Sequence, residues 1–258
     1  MKILVLCNND LASLFAVNLL LPALRGHRVL FGQSSQVGST QNHPAAIQAL
    51  IAHEKQIMSE LNSEQAIQLF GKVLQTHPTQ RIISFAELAE KASSPIYPMN
   101  QINSAEGIES VRQLEPELIL SIRFGKILQQ PVIDIPKLGV INLHSGLLPS
   151  YQGIMATFWA MLNGEGQIGC CLHYIQDKRI DAGDIIQQSP IDTNFKLSYL
   201  ENLLGIYLPG IEIMANAVSQ LQQGHSLVAQ SQQGEPGYFG FPDEQTTNRF
   251  IELGYQLF

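Results

Sequence analysis

Basic side chains are few in this sequence, and they are nowhere clustered. Its 258 residues include 15 Lys and Arg against 22 Asp and Glu, which gives a formal net charge of −7. A protein that binds a long polyanion presents a concentrated basic patch or stripe. We therefore expect no nucleic acid as a main partner of this chain.

Cysteine is scarce as well. The three cysteines, Cys7, Cys170 and Cys171, make neither a CxxC pair nor the Cys/His spacing of a zinc site. Disulfide frameworks are typical of oxidising compartments. We expect reduced thiols, no bound metal and a cytoplasmic protein.

Long apolar runs are missing too. The N-terminal MKILVLCNND turns polar after a short apolar stretch, which is too brief for a signal peptide or a membrane span. We interpret this stretch as a first β-strand, and we expect no membrane partner.

The sequence does have enough apolar material, 45% of its residues, for a real core. Continuous apolar strands alternate with segments of helical periodicity, which is typical of an α/β fold with a doubly wound, mostly parallel sheet. The predicted strands are Lys2–Cys7, Arg28–Phe31, Leu118–Ile122, Val140–Asn142 and Gly169–Ile175, with 81–84 and 95–97 as alternatives for one more. The predicted helices are 10–20 with Asp10 as N-cap, about 45–75, 156–163 and 197–222.

The pattern changes after Pro190, where one long helical segment and an aromatic tail follow. This change predicts a main domain at 1–195 and a small C-terminal helical and aromatic extension at 196–258. In an open doubly wound sheet, the ligand site lies beyond the carboxyl ends of the strands.

Two polar side chains stand where the predicted strand 140–142 ends. Asn142 and His144 are two residues apart, so in an extended segment they share one face. A lone histidine at a strand end is more often structural. The case for His144 therefore rests on Asn142 and on the turn-rich loop that follows.

A carboxylate is expected to join them. Asp181 lies in the segment RIDAGDII (179–186), a loop that returns to a strand, although an Asp before Ala-Gly is also typical of an ordinary surface turn. With Asn142 and a protonated His144 as donors to a developing oxyanion, and Asp181 relaying a proton, the set suits acyl transfer. Ser145 has no GxSxG motif around it to support a serine nucleophile.

The pair of segments NLHSGLLPSYQG (142–153) and IDAGDIIQQ (180–188) resembles the formyltransferases that use 10-formyltetrahydrofolate. That superfamily contains the glycinamide ribonucleotide, methionyl-tRNA and sugar N-formyltransferases. The resemblance covers about residues 80–190 well and the N-terminal βα units loosely. It implies a Rossmann-like catalytic core at 1–195, an N-formyltransferase (one-carbon transferase) activity, and a catalytic set of Asn142, His144 and Asp181.

The resemblance also implies where the pterin ring of the folate packs. The segment Ser121–Leu128 and the loop before Asp181 would hold the flat ring between apolar walls and backbone groups. The cofactor-binding candidates are Phe124, Gly125, Lys126, Ile127, Leu128, Gln176, Asp177 and Ile180. Phe124 and Leu128 are equally typical of a core, and Lys126 is equally typical of a solvated surface.

The acceptor amine is left open, with a small molecule such as an amino sugar nucleotide or an amino-acid-derived metabolite favoured. The segment CNND after the first strand lacks the glycine-rich turn that cradles a phosphate, which argues against glycinamide ribonucleotide. A methionyl-tRNA acceptor calls for a further basic domain after the core. Acceptor contacts are expected at Ser145, Gly146 and Gln152, where many family members differ, and acceptor specificity in the loops 32–44 and 95–110.

Other interpretations stay open. One is a folate-binding protein of the same fold without transferase activity, whereas a nucleotide-binding oxidoreductase is disfavoured because no GxGxxG turn follows the first strand. His173 either faces the site or merely fills a strand position, and the five remaining histidines show no constellation. We expect Tyr238, Phe239 and Phe241 to be packing residues rather than an acceptor lid or a dimer seam, and a homodimer is open.

Overall fold

The computed structural model of the chain describes residues 1–35, 43–75 and 81–258. Its strands are β1 (Lys2–Asn8), β2 (Arg28–Ser34), β3 (Ile96–Pro98), β4 (Leu118–Ile122), β5 (Val140–His144), β6 (Gln152–Gly153), β7 (Gln167–Tyr174), β8 (Ile185–Asp192) and β9 (Tyr238–Phe239). A seven-stranded sheet has the order β3-β2-β1-β4-β5-β7-β8, and β6 pairs with β9 separately. Strands β1 to β5 of the sheet are parallel, and β7 and β8 add an antiparallel edge. The predicted α/β fold with a doubly wound, mostly parallel sheet is confirmed.

Helices cover the sheet, and several begin at the residues that the sequence indicates. They are α1 (Leu11–Leu20), α2 (Ala45–Ser59), α3 (Glu64–Val73), α4 (Phe85–Ala92), α5 (Ala105–Leu114), α6 (Gln130–Ile133), α7 (Ala156–Leu162), α8 (Tyr199–Gln222) and α9 (Glu244–Glu252). Asp10 caps α1 as predicted, because its carboxylate accepts the N–H of Ser13 over 2.8 Å. The helix expected over 45–75 is two helices, since Glu60 leaves the helical conformation and Ser63 caps a new helix.

The alternatives left open for one more strand are now resolved. Residues Ile96–Pro98 form β3, which pairs with β2 at the edge of the sheet. Residues 81–84 form no strand, because Ser84 instead begins α4 through a reciprocal capping box with Glu87.

The core lies on both faces of the sheet. In β1, Ile3 and Val5 belong to one apolar cluster, and Leu4 and Leu6 belong to the other. All four side chains are fully buried, which explains why the strand is apolar throughout rather than alternating.

The long helix α8 packs directly on the sheet. Its Leu203 and Met214 belong to the same apolar cluster as Ile3 of β1. A Cβ at Gly210 would lie 2.7 Å from the Sγ of Cys170, so this glycine permits the close approach of α8 to β7. The division between 1–195 and 196–258 stays a prediction, and α8 shares its core with the residues before that division.

The tail after α8 returns to the body of the protein. Phe239 stacks on Tyr151 and Trp159 at ring-centroid distances of 5.5 and 4.9 Å, and Phe241 lies 4.4 Å from the ring of His43. The packing role predicted for Phe239 and Phe241 is confirmed, whereas Tyr238 is 60% exposed.

Two sequence predictions fall outside the described residues, namely positions 36–42 of the loop 32–44 and the histidine at position 77. Within the described ranges, no helix combines the length and the apolarity that a membrane crossing requires.

Candidate functional site

The neighbouring strands β5 and β7 bring polar residues together inside the sheet. His144 ends β5, Asn142 lies in the middle of that strand, and the antiparallel register places His173 of β7 opposite Asn142. The chain leaves β7 through the loop that carries Asp181 and returns as β8. The β7–β8 hairpin therefore brings a carboxylate back to the end of β5.

Asn142 and His144 both lie beside the carboxylate of Asp181. The Nδ2 of Asn142 donates to Oδ1 over 3.3 Å, and the Nδ1 of His144 lies 3.4 Å from Oδ2. The side chains of His144 and Asp181 are only 7% and 10% exposed. The three residues predicted to act together are thus assembled at one point, while their catalytic roles stay predictions.

The imidazole of His144 is held by its other ring nitrogen. Its Nε2 lies 2.6 Å from the main-chain oxygen of Tyr151. A carbonyl oxygen can only accept, so Nε2 carries a hydrogen and donates it there. The Nδ1 distance to Asp181 is long for a hydrogen bond. When the ring is protonated, Nδ1 also carries a hydrogen and can donate it to another acceptor.

His173 is a further polar side chain in the site, which resolves the two interpretations left open for it. Its Nδ1 lies 2.9 Å from the carbonyl oxygen of Tyr174, and its Nε2 lies 3.1 Å from Asn142 Nδ2 and 3.4 Å from Asp181 Oδ1. The residue is 2% exposed. His173 belongs to the site because it lies opposite Asn142 in the sheet. Predicting this from the sequence requires the register between β5 and β7.

Asp181 is fixed from three directions. Its backbone is left-handed (φ 50°), and the N–H of Gly153 donates to its Oδ2 over 2.9 Å. The side chain of Gln152 donates to its carbonyl oxygen over 3.2 Å, and Gln232 donates to the same oxygen over 2.6 Å and to that of Gly183 over 2.9 Å. Gly153, Gln152 and Gln232 hold the carboxylate and the loop together, and Gln232 in particular was not found from the sequence.

The electrostatics of the site keep Asp181 ionised. Burial alone would raise the pKa of Asp181, but the charge of His144 opposes burial, together with the hydrogen bond and charge of His173 and the N–H of Gly153. The result is a pKa lowered to about 2. A carboxyl group with so low a pKa is a weak base, so it is better suited to orienting a proton carrier than to storing a proton.

The low pKa predicts acid sensitivity. A carboxyl group whose pKa is lower folded than unfolded stabilises the protein above its unfolded pKa and loses that contribution as the pH falls through the folded value. For Asp181 the window runs from about pH 4 down to the folded value of about 2. We expect the free-energy difference of unfolding between wild type and Asp181→Asn to shrink by about 2 kcal/mol over that window. Urea unfolding at the two ends measures it, and an unchanged difference would contradict the assigned pKa.

Replacing Gln232 is expected to loosen the loop that carries Asp181. Gln232→Ala leaves the carbonyl oxygen of Asp181 with one weaker donor and strips the donor from that of Gly183, so we expect kcat to fall roughly tenfold and unfolding to need about 1–3 kcal/mol less. Steady-state kinetics and urea unfolding measure both. The matched control is Gln233→Ala, since Gln233 is exposed and donates only to Ser231. Equal effects of the two changes would disprove a specific role for Gln232.

The folate candidates fall into two segments, which follow β4 and β7 and pack against one apolar cluster. Leu128 is 3% exposed and belongs to the core, and Phe124 and Ile175 pack against that same cluster. Ile127 is 53% exposed, with its carbonyl oxygen held by Asn103 over 2.8 Å. An apolar side chain left uncovered on a fixed backbone fits a flat apolar ring, whereas Leu128 is accounted for by the core.

In the second segment, Gln176 and Asp177 bind neighbouring residues of their own loop. Gln176 exchanges two hydrogen bonds with Asp184, over 3.0 and 2.9 Å. Asp177 pairs with Arg179 over 2.8 Å on the surface. Lys126, Gly125 and Ile180 are partly buried. The folate-binding roles of all these residues stay predictions.

The three positions expected to contact an acceptor are buried. Ser145 and Gln152 are 9% and 8% exposed. A Cβ at Gly146 would lie 2.5 Å from that of Ala156 and 2.8 Å from Nε2 of His144, so the glycine makes room for the imidazole. Gly146 and Gln152 support the catalytic candidates, and contact of the three positions with an acceptor stays a prediction.

Neither a metal site nor a reactive thiol is found among the residues that the structure describes. No three His, Cys, Asp or Glu side chains converge there in a way that would hold a metal ion. All three cysteines are free and buried, and burial raises the pKa of the Cys171 thiol to about 12.

Comparison with known proteins finds formyltransferases. A family model described as "Formyl transferase" matches residues 31–199, which include every residue of the cluster around Asp181 except Gln232. A methionyl-tRNA formyltransferase of Pelobacter propionicus is 30% identical over 180 residues, which are 69% of this chain and 54% of that protein. The chain spans about half the length of the curated relatives it matches.

Solved structures share the fold at lower identity. Glycinamide ribonucleotide transformylase 1 of Symbiobacterium toebii superimposes with a TM-score of 0.60 at 16% identity, over 90% of this chain and 93% of that one. An N-formyltransferase of Helicobacter canadensis, solved in complex with folinic acid and dTDP-3-aminofucose, gives 0.58 at 15% identity, over 93% of this chain and 71% of that one.

Proposed function

This chain belongs to the formyl transferase family, and we propose that it transfers a formyl group from 10-formyltetrahydrofolate to the amine of a small-molecule acceptor. The observation that carries the proposal is the cluster at the end of β5. There Asn142 and His144 lie within 3.4 Å of the carboxylate of Asp181. Amide, imidazole and carboxylate are the groups that acyl transfer to an amine requires.

Asn142 and His144 stabilise the charge that develops on the formyl oxygen. As the acceptor nitrogen bonds to the formyl carbon, Nδ2 of Asn142 and Nδ1 of a protonated His144 donate to that oxygen. The second nitrogen of His144 stays bound to the carbonyl of Tyr151, which holds the ring at its position. A donor that is aimed in advance at a developing oxyanion is worth roughly 3–4 kcal/mol of barrier.

Asp181 directs the proton. Its low pKa keeps it negative, so it attracts and orients the water that removes a proton from the attacking amine. That proton ends on N10 of the folate as the bond between N10 and the formyl carbon breaks. The formyl group thereby moves from one nitrogen to the other, and no oxidant, metal or covalent enzyme intermediate is required.

The folate is proposed to lie between the segment after β4 and the loop before Asp181. The exposed Ile127 and the partly buried Phe124 and Ile180 supply the apolar surface there. One solved relative is a complex with folinic acid, and another was solved in the presence of 5-N-formyl-THF, which supports this choice of donor.

The acceptor is proposed to be a small amine, with an amino sugar nucleotide or an amino-acid-derived metabolite as the first choices. The net charge of −7 and the scattered basic residues support a small molecule over a nucleic acid. Methionyl-tRNA and glycinamide ribonucleotide are the alternatives.

A paired binding and transfer experiment tests the proposal. Calorimetry with 5-formyltetrahydrofolate measures donor binding, and mass spectrometry follows formylation of amino sugar nucleotides, amino-acid amines, glycinamide ribonucleotide and methionyl-tRNA. We expect binding, and transfer to at least one small amine. Binding without transfer to any amine would instead indicate a folate-binding protein of the same fold.

A further inference from the structure

The sheet has a second polar centre beyond the one around Asp181. It lies between β1 and β4, where the strand order reverses direction, with β2 on one side of β1 and β4 on the other. Doubly wound proteins bind ligands at this point, and the N-terminus of the helix after the first strand is a natural place for an anion. Here that helix is α1.

A side chain of the protein already occupies the N-terminus of α1. One oxygen of Asp10 accepts the N–H of Ser13 over 2.8 Å, and the other accepts from Asn8 over 2.9 Å. The Nε of Arg123, from the segment after β4, lies 3.1 and 3.3 Å from the two oxygens. Asp10 and Arg123 are 15% and 21% exposed, so little of the pair faces solvent.

A second carboxylate stands at the same helix end. Glu54 of α2 accepts the N–H of Leu11 over 3.4 Å. Burial and the nearby charge of Asp10 raise the pKa of Glu54 to about 7, although Arg123 opposes them. Two acidic groups and one guanidinium therefore share this corner, which leaves no surplus positive charge to attract an anion.

Neighbouring backbone fixes the pair in position. Ser34, at the end of β2, donates to the Asn8 side chain over 3.0 Å and accepts the N–H of Gly125 over 2.9 Å. Arg123 itself has a left-handed backbone (φ 55°). The network joins the ends of β1, β2 and β4, so the carboxylate of Asp10 is built into the fold rather than free to swing away.

We infer that Asp10 is an internal anion that fills the anion subsite of this fold and thereby excludes acceptors that present a phosphate there. The inference rests on the proposed function, because only a transferase has an acceptor. It deepens that function by excluding one class of acceptor. The amine that this protein formylates carries no phosphate at the end of α1, so any diphosphate or carboxylate of the acceptor must be bound elsewhere.

Inorganic phosphate is the test compound, and thermal unfolding is the readout. Each protein is melted in phosphate and in chloride at matched ionic strength. The proteins are the wild type, Glu54→Gln, and Glu54→Gln with Asp10→Ser, because serine still caps a helix but carries no charge. We expect phosphate to leave the first two unchanged and to raise the melting temperature of the last by about 2–4 °C.

A location control completes the design. Adding Arg123→Asn to the Asp10→Ser protein should abolish the phosphate effect, and asparagine tolerates the left-handed backbone. Stabilisation of the wild type by phosphate that Arg123→Asn removes would overturn the inference, as would no effect of phosphate after Asp10→Ser. Asp10→Asn replaces the serine variant if that variant does not fold. None of these measurements uses a formyl donor, so their outcome is independent of whether transfer is detected.

Discussion

Replacing Asp181 with asparagine is expected to lower kcat for formyl transfer by about a thousandfold or more while the protein stays folded. The amide keeps the size of the side chain but removes the negative charge beside His144 and His173. It also puts an NH2 group, which donates hydrogen bonds, where a carboxylate oxygen now accepts one. The attacking amine then has no charged group to order the water that takes its proton.

The measurement is single-turnover and steady-state kinetics on purified, folded protein, with the acceptor found in the screen. Asp192→Asn is the matched control, because Asp192 is an exposed carboxylate at the far end of β8, about 23 Å along the strand from Ile185. A near-normal kcat in Asp181→Asn, with circular dichroism like that of the wild type, would remove Asp181 from the mechanism.

His144→Ala is the second change with a large expected effect, a fall in kcat of at least about a hundredfold. It removes a donor to the oxyanion and leaves the carboxylate of Asp181 without its principal charge partner. It also leaves the buried carbonyl of Tyr151 without the donor that now lies 2.6 Å away. We therefore expect about 1–3 kcal/mol of lost unfolding free energy beside the loss of activity.

The two effects of His144→Ala can be separated. Urea unfolding gives the stability loss, and kcat measured well below the melting temperature gives the catalytic loss. His225→Ala is the control, since His225 is exposed and its change should alter neither quantity. Recovery of most activity in His144→Ala by lowering the temperature alone would show that the histidine is only structural.

The predictable part of the site is the part encoded by local pattern. A two-residue spacing in an extended segment puts the side chains of Asn142 and His144 on one face, so the sequence alone predicts that they act together. Asp10 was identified as a helix cap because capping depends on residues within one turn. The family resemblance, confirmed by the matching family model, linked these residues to Asp181 across nearly forty positions.

The part that could not be predicted depends on pairing between distant segments. The apolar sequence of β7 is compatible with a parallel and with an antiparallel neighbour. The sequence alone therefore does not predict that His173 lies opposite Asn142. Gln232 binds the carbonyl of Asp181 from 51 residues away, through a tail whose composition indicates only a loop. The sequence does not indicate the break between α2 and α3, because the residues on both sides of it have helical composition.

The contacts between the C-terminal tail and the site have a consequence for folding during synthesis. Asp181 is held by Gly153, whose strand β6 pairs with Tyr238–Phe239, and by Gln232. Strand β8 ends at Asp192, but the loop that carries the carboxylate gains its last supports only after residue 239 has been synthesised. A nascent chain therefore contains all three proposed catalytic residues well before it can hold them in their final geometry.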